Sequence, residues 1–144
     1  MPVTAKAEYA CLAMLELATR YTEARPVRLA EVTDKHGIDH GFLVQILLEL
    51  RNAGLVVTAR GKSGGYRLAK APHEITLADI VEVLDGVGKP KGRGGTTPTS
   101  SLGHKLQRVW AELSVRLADT QTGYLTGFTL ADLLAYDATP DYMI

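Results

Sequence analysis

The sequence predicts a mainly α-helical fold: a winged helix–turn–helix domain with a two-stranded wing, followed by a long C-terminal helix. Three observations predict it. Two short helical patterns, LAEVTDKHG from Leu29 and IDHGFLVQILLELRNAGL from Ile38, flank a tight turn at Gly37. A Gly-rich, acid-free hairpin pattern, VVTARGKSGGYRLAK, runs from Val56 to Lys70. Downstream, Leu102, Leu106, Val109, Trp110, Leu113 and Leu117 make a narrow stripe at spacings of four and three. The first two patterns together have the shape that puts one helix in a DNA groove and a charged loop on the flanking backbone.

The elements follow in order. Residues 4–22 are rich in Ala, Leu and Met, with Thr4 as N-cap; Tyr9, Leu12, Leu15 and Ala18–Thr19 supply the helical apolar face. Glu23–Pro26 breaks this helix, and Val27–Arg28 forms a short extended piece that can pair with the later hairpin. The second helix, about Leu29–His36, turns Leu29, Val32 and Ala30 inward and ends at Gly37. Asp39 caps the third, about 40–53, whose Phe42, Leu43, Ile46, Leu47 and Leu50 face the core. Strands at 55–59 and 65–69 flank the wing, Arg60–Gly64, where Gly61, Gly64 and Gly65 permit a tight turn; Tyr66 belongs to the core.

Thr76-Leu-Ala-Asp79 opens a helix that carries Ile80, Val81, Val83 and Leu84 to Gly86. The same four letters open a short final helix at Thr129, one start signal used twice. Residues 87–103 hold almost no apolar side chains and cannot offset their ordering entropy by burial, which predicts an exposed loop. The helix at about 102–121 then stands beyond the compact part with little chain left to cover its stripe. A second copy is the natural cover for Leu102, Leu106, Val109, Trp110, Leu113 and Leu117. The expected organisation is a DNA-binding domain over 1–86, the loop, and a dimerisation helix with tail over 104–144.

Composition narrows the function. The chain has 144 residues, enough for one core, and 46% of them are hydrophobic. Its 16 cations balance 16 anions, so net charge says nothing for DNA. Distribution does: no acid lies between Glu49 and Glu74, where Arg51, Arg60, Lys62, Arg67 and Lys70 fall. A local basic patch is what phosphate neutralisation requires. The single cysteine, Cys11, excludes an intrachain disulfide and a thiol-only metal site. No run approaches the ~18 apolar residues of a membrane span and no signal peptide stands at the start, so a cytoplasmic protein without membrane contact is expected. Cys11 and the four histidines form no spacing with an acid or hydroxyl that would indicate an enzyme.

Base reading needs side chains on the exposed first turns of the third helix, here His40, Gly41, Val44 and Gln45. Gln45 can pair bidentately with adenine, and Val44 can pack on a thymine methyl. Gly41 is costly in a first turn, a cost that close approach to phosphate would explain, as would drift. Arg51 belongs to the basic patch. Arg60 suits the minor groove, with Lys62 and Ser63 on phosphate. Lys6 and Arg28 are secondary phosphate candidates.

The stretch from Tyr9 through Gly86 resembles the winged-helix regulators of the IscR, NsrR and CymR group, the "Rrf-two" family. The matching residues are KAEYACLAML, the LAEV, HGID, FLVQIL and LRNAGLV pieces, RGKSGGYRLAK and EITLADIVEVLDG, with LQRVWAEL and FTLADLL later. The resemblance implies a homodimeric bacterial transcription factor, usually a repressor, on a near-palindromic operator of double-stranded DNA. In many members three loop cysteines hold an iron–sulfur cluster, whereas residues 87–103 have none. Since a cluster needs thiolate or substitute ligands, no cluster, metal or other cofactor is expected. Cys11 then reads as a small buried hydrophobe rather than a sensing thiol. Glu8 reads as a solvated carboxylate, with a residual ligand site shared with His104 across the dimer as the alternative. Cluster-binding relatives often carry Ser and Glu near Gly41 and Val44, so a different operator is expected. The competing function is a protein-interaction module whose wing grips an acidic partner; an effector or protein partner of unknown identity fits either reading.

Overall fold

A computed structural model describes residues 4–23, 25–60, 64–86 and 100–136. Of the loop expected over 87–103, residues 87–99 lie outside the described residues, as does the wing tip 61–63. Residues 101–103 already form the first turn of the C-terminal helix, capped by Ser100. Six α-helices, a two-stranded antiparallel hairpin and one short 3-10 turn are described, in the order α1 (Ala5–Thr19), α2 (Leu29–His36), α3 (His40–Asn52), β1 (Val56–Ala59), β2 (Gly65–Leu68), the 3-10 turn (Pro72–Glu74), α4 (Leu77–Asp85), α5 (Ser101–Thr126) and α6 (Leu130–Ala135). The winged helix–turn–helix and the long C-terminal helix are as the sequence predicts. No helix among the described residues is long and apolar enough to cross a membrane.

The Thr4 hydroxyl accepts the Ala7 N–H and starts α1 as expected. The inward face of this helix is rotated from the predicted one. Ala7, Ala10, Ala13, Met14, Leu17 and Ala18 are buried, whereas Tyr9, Leu12 and Leu15 are half-buried and Thr19 is exposed. The reason is packing on several sides: α4 and α6 both lie against α1. Small alanine side chains allow that close approach, and the larger residues move to the flanks. Tyr9 sits there edge-on to Phe42, with ring centroids 5.8 Å apart.

In α2, Val32 is buried and Leu29 half-buried, but Ala30 is exposed. A step of about 100° per residue carries Ala30 away from the line through Leu29 and Val32. Gly37 ends the helix in the left-handed region at φ 64°, as its position predicts. Asp39 caps α3 by accepting the Phe42 N–H at 3.1 Å. Leu43, Ile46, Leu47 and Leu50 are buried beneath it, with Phe42 packed against that cluster.

The hairpin pairs Val56 with Leu68 and Ala59 with Gly65. Val27 joins it: its N–H donates to the Tyr66 carbonyl at 3.0 Å, and Tyr66 N–H donates back at 2.8 Å. This pairing gives Gly65 a different role from the predicted turn-maker. A Cβ there would press on the Val27 carbonyl, 2.8 Å from its carbon and 3.2 Å from Arg28 N. Tyr66 packs against the core, as expected.

The two Thr-Leu-Ala-Asp signals each form a reciprocal cap, Thr76 with Asp79 and Thr129 with Asp132. They also meet. Thr76 and Thr129 face each other across an antiparallel bridge, with Leu77 N–H donating to the Phe128 carbonyl and Leu130 N–H to the Ile75 carbonyl, both at 2.9 Å. That bridge ties the far end of α5 to the domain that carries α3.

Candidate nucleic-acid interface

An α-helix with one buried stripe must present the remaining arc to whatever lies outside, and in α3 that arc is continuous. His40, Gly41, Val44, Gln45, Leu48, Arg51 and Asn52 are all exposed, opposite Leu43, Ile46, Leu47 and Leu50. The arc holds no acid. An added Cβ at Gly41 would meet only Asp39 Oδ2, at an ordinary 3.5 Å, so nothing among the described residues demands glycine there.

Arg60 follows β1, which packs on α3, and is exposed. Arg51, Arg60 and Lys70 make no ion pair among the described residues. Arg67 is occupied internally, donating to the Glu23 carbonyl at 2.9 Å. Lys62 and Ser63 lie outside the described residues. Lys6 is held 2.6 Å from Glu49 Oε2, an ion pair that steadies α3 against α1 and competes with any phosphate. Arg28 is exposed, and its backbone N–H donates to Glu31 at 2.7 Å.

Around α1 and α2, Glu31 and Glu16 take up the neighbouring cations. Glu31 accepts from Arg25 at 3.0 and 3.1 Å, from the Arg28 N–H and from Arg20. These bonds, Arg25's the strongest, hold its carboxyl well below the ordinary range. Glu16, buried in α1, lies 3.0 Å from Lys35 and 3.3 Å from His36 at the end of α2. Burial pushes its carboxyl up, but the bonds from Lys35 and then His36 outweigh that and keep it below its usual value. The sequence reading missed this anchor between α1 and the helix–turn–helix. Its signal was a lone acid inside an otherwise apolar face.

Leu48 was missed as well, hidden in the run Ile46-Leu47-Leu48. At about 100° per residue it falls beside Val44 rather than with the core.

On α5 the predicted stripe is uncovered: Leu102, Leu106, Val109, Trp110, Leu113 and Leu117 are 42–76% exposed. The half-buried residues Ala118, Gln121, Thr122 and Leu125 mark where the helix is covered by its own chain.

Cys11 is half-buried, and its thiol is pushed up to about 11 by burial first, then by the Asp85 and Glu8 carboxylates. A thiol so placed stays protonated at neutral pH and is a poor nucleophile or ligand. Glu8 and His104 are exposed on α1 and α5. Among the described residues no three His, Cys, Asp or Glu gather where they could hold a metal ion, and residues 87–99 contain none of these types.

Comparisons with known proteins bear on the family and the fold. The family profile described as "Rrf2: Iron-dependent Transcriptional regulator" matches residues 3–136. The HTH-type transcriptional regulator IscR of Escherichia coli O1:K1 is 36% identical over 138 residues, covering 93% of this chain and 80% of that protein. IscR of Vibrio campbellii is equally similar, with 77% of its length covered. Among solved structures, CymR, the global cysteine regulator of B. subtilis, superposes with a TM-score of 0.72 at 30% identity, covering 95% and 98% of the two chains. IscR of T. potens gives 0.71 at 32% identity, covering 99% and 96%. The donor set departs from the iron in the profile's description: one cysteine, protonated and on α1, does not fit an iron–sulfur centre. In fold and in sequence along nearly its whole length, the chain belongs to the Rrf2 family of winged helix–turn–helix transcriptional regulators.

Proposed function

We propose that the protein is a homodimeric transcriptional repressor that reads a near-palindromic operator without an iron–sulfur cluster. In this reading α3 lies in the major groove, with His40, Gly41, Val44 and Gln45 at the bases and Arg51 toward the backbone. Arg60 reaches the minor groove, Lys62 and Ser63 touch phosphate, and Arg28 is a further phosphate contact. Lys6 has the weakest case, because Glu49 holds it. The observation that carries the reading is the acid-free arc of α3 with Arg51 and Arg60, which make no ion pair among the described residues. Such a surface suits a polyanion, since each cation laid on a phosphate releases a condensed counterion.

The second copy is assigned to the α5 stripe. Two heads so joined would place half-sites about one helical turn, ~34 Å, apart. Because the Thr76–Thr129 bridge couples α5 to the head, a change in the angle between the α5 helices would alter that spacing. Repression would follow from occupancy of the operator.

Selection of bound sequences from genomic fragments tests this directly; a two-fold symmetric motif is expected, and no enriched motif would sink it. Arg60→Ala should then weaken operator binding about tenfold at ~0.15 M salt and flatten the salt dependence. Unchanged affinity in a titration of the labelled operator would remove Arg60 from the interface.

A further inference from the structure

We infer that Val44 and Leu48 form one apolar ridge that reads the C5 methyl groups of thymines, with Leu48 a specificity-determining residue alongside those named above. The inference rests on the duplex-reading assignment and deepens it. Three observations carry it.

First, Leu48 is 43% exposed and Val44 39%, on a helix that already buries Leu43, Ile46, Leu47 and Leu50. The core therefore does not claim the pair. Second, their placement on the exposed arc is central. About 40° separates Leu48 from Val44 around the axis, and Gly41, Val44 and Leu48 follow one line at spacings of three and four. His40 and Arg51 lie to one side and Gln45 to the other. Third, the arc offers only these two large apolar side chains, set among a cation, a glutamine and a glycine. A protein partner that buried an apolar face would want a broader stripe, like the one on α5. The major groove suits the narrow pair, because its only apolar feature is the thymine methyl.

The dimensions agree. Four residues of helix rise about 6 Å, less than two base steps of 3.4 Å, so the ridge matches methyls on neighbouring base pairs. Gly41, one turn before Val44, lets the helix backbone come close where a side chain would hold it away. Gln45 would remain the hydrogen-bonding reader of the same half-site, and the ridge would add a preference for adjacent thymines.

The test uses the full chain and the operator obtained by selection. Duplexes carrying uracil in place of each half-site thymine lose one methyl and nothing else. Affinity for wild-type protein should fall about fourfold per contacted methyl, the factor that burial of one methyl group's surface supplies. Uracil outside the half-sites should change nothing. Leu48→Ala, at an exposed position where alanine favours helix, should erase the methyl dependence at one thymine and leave it at that facing Val44.

If uracil is tolerated at every half-site position while the protein still selects its operator, the ridge is wrong and the duplex reading stands. If Leu48→Ala keeps full methyl dependence at each thymine, the assignment of Leu48 is wrong. If no sequence is enriched at all, both readings fall together.

Discussion

The head of the molecule and α5 both carry apolar helix faces but end in opposite states. In the head, Met14, Leu43, Ile46, Leu50, Val56, Ile80 and Leu130 close on one another and leave no accessible surface beyond about a percent. In α5, which runs 26 residues, none is buried. The head satisfies its own chain, whereas α5 carries a stripe that only something outside the described chain can cover. Contiguous exposed apolar surface of this kind marks an interface. Under the proposed function the division of labour follows: recognition would sit on the part that buries its own core, and pairing on the part whose stripe is left exposed.

Breaking the second part should give the largest effect. Trp110→Glu places a charge in the middle of the stripe and should convert the dimer to single subunits at micromolar concentration. The head, which Trp110 does not touch in the core, should keep its helical circular dichroism. A mutant that sediments like the wild-type dimer would show that the stripe is not the interface. Next, Leu50→Ala removes a fully buried side chain from beneath α3 and should cost about 2–5 kcal/mol. Denaturant titration at two protein concentrations separates the regions: the Leu50 loss should not depend on concentration, and a Leu113→Ala loss should.

Much of this contrast was legible in the sequence because it rests on local rules. The caps at Thr4, Asp39, Thr76 and Thr129, the turn at Gly37 and the α5 stripe all follow from spacing within one helix. What escaped depends on neighbours distant in sequence. The inward face of α1 was misjudged because two helices from beyond residue 76 decide it. Two caps fifty-three residues apart could be seen, but not that they face each other. Leu48 was lost among apolar neighbours, although its angle on the wheel was available. The resemblance to a known family gave the fold and the class of function, while the exposure of individual side chains on α3 had to come from the folded chain.

Gly65 offers a smaller test of how the head closes. Alanine there must displace the Val27 carbonyl or break the pairing between Val27 and Tyr66. Overpacking of this kind typically costs about 1–3 kcal/mol. A glycine needed only for turn flexibility would predict the opposite, a slight stabilisation on replacement by alanine. Thermal unfolding of Gly65→Ala therefore distinguishes close approach from flexibility by the sign of its shift.

The smallest expected effect concerns acid, and it too separates the two regions. Glu31 accepts hydrogen bonds from Arg25, the Arg28 N–H and Arg20, and its carboxyl is held below its usual value of 4.5. A carboxyl that binds protons less readily folded than unfolded contributes stability above its unfolded titration range, and that contribution is lost as pH falls through and below it. The head should therefore weaken between about pH 5 and 3, and Glu16, depressed in the same direction, adds to the slope. In α5 the Glu112–Arg116 pair, 2.9 Å apart, is largely exposed on both sides, and such pairs contribute little in water. Glu31→Gln should flatten the acid limb of a urea-midpoint profile, and Glu112→Gln should leave it in place. An acid limb that Glu112→Gln removes and Glu31→Gln does not would place the acid-sensitive contact in α5 instead of the head.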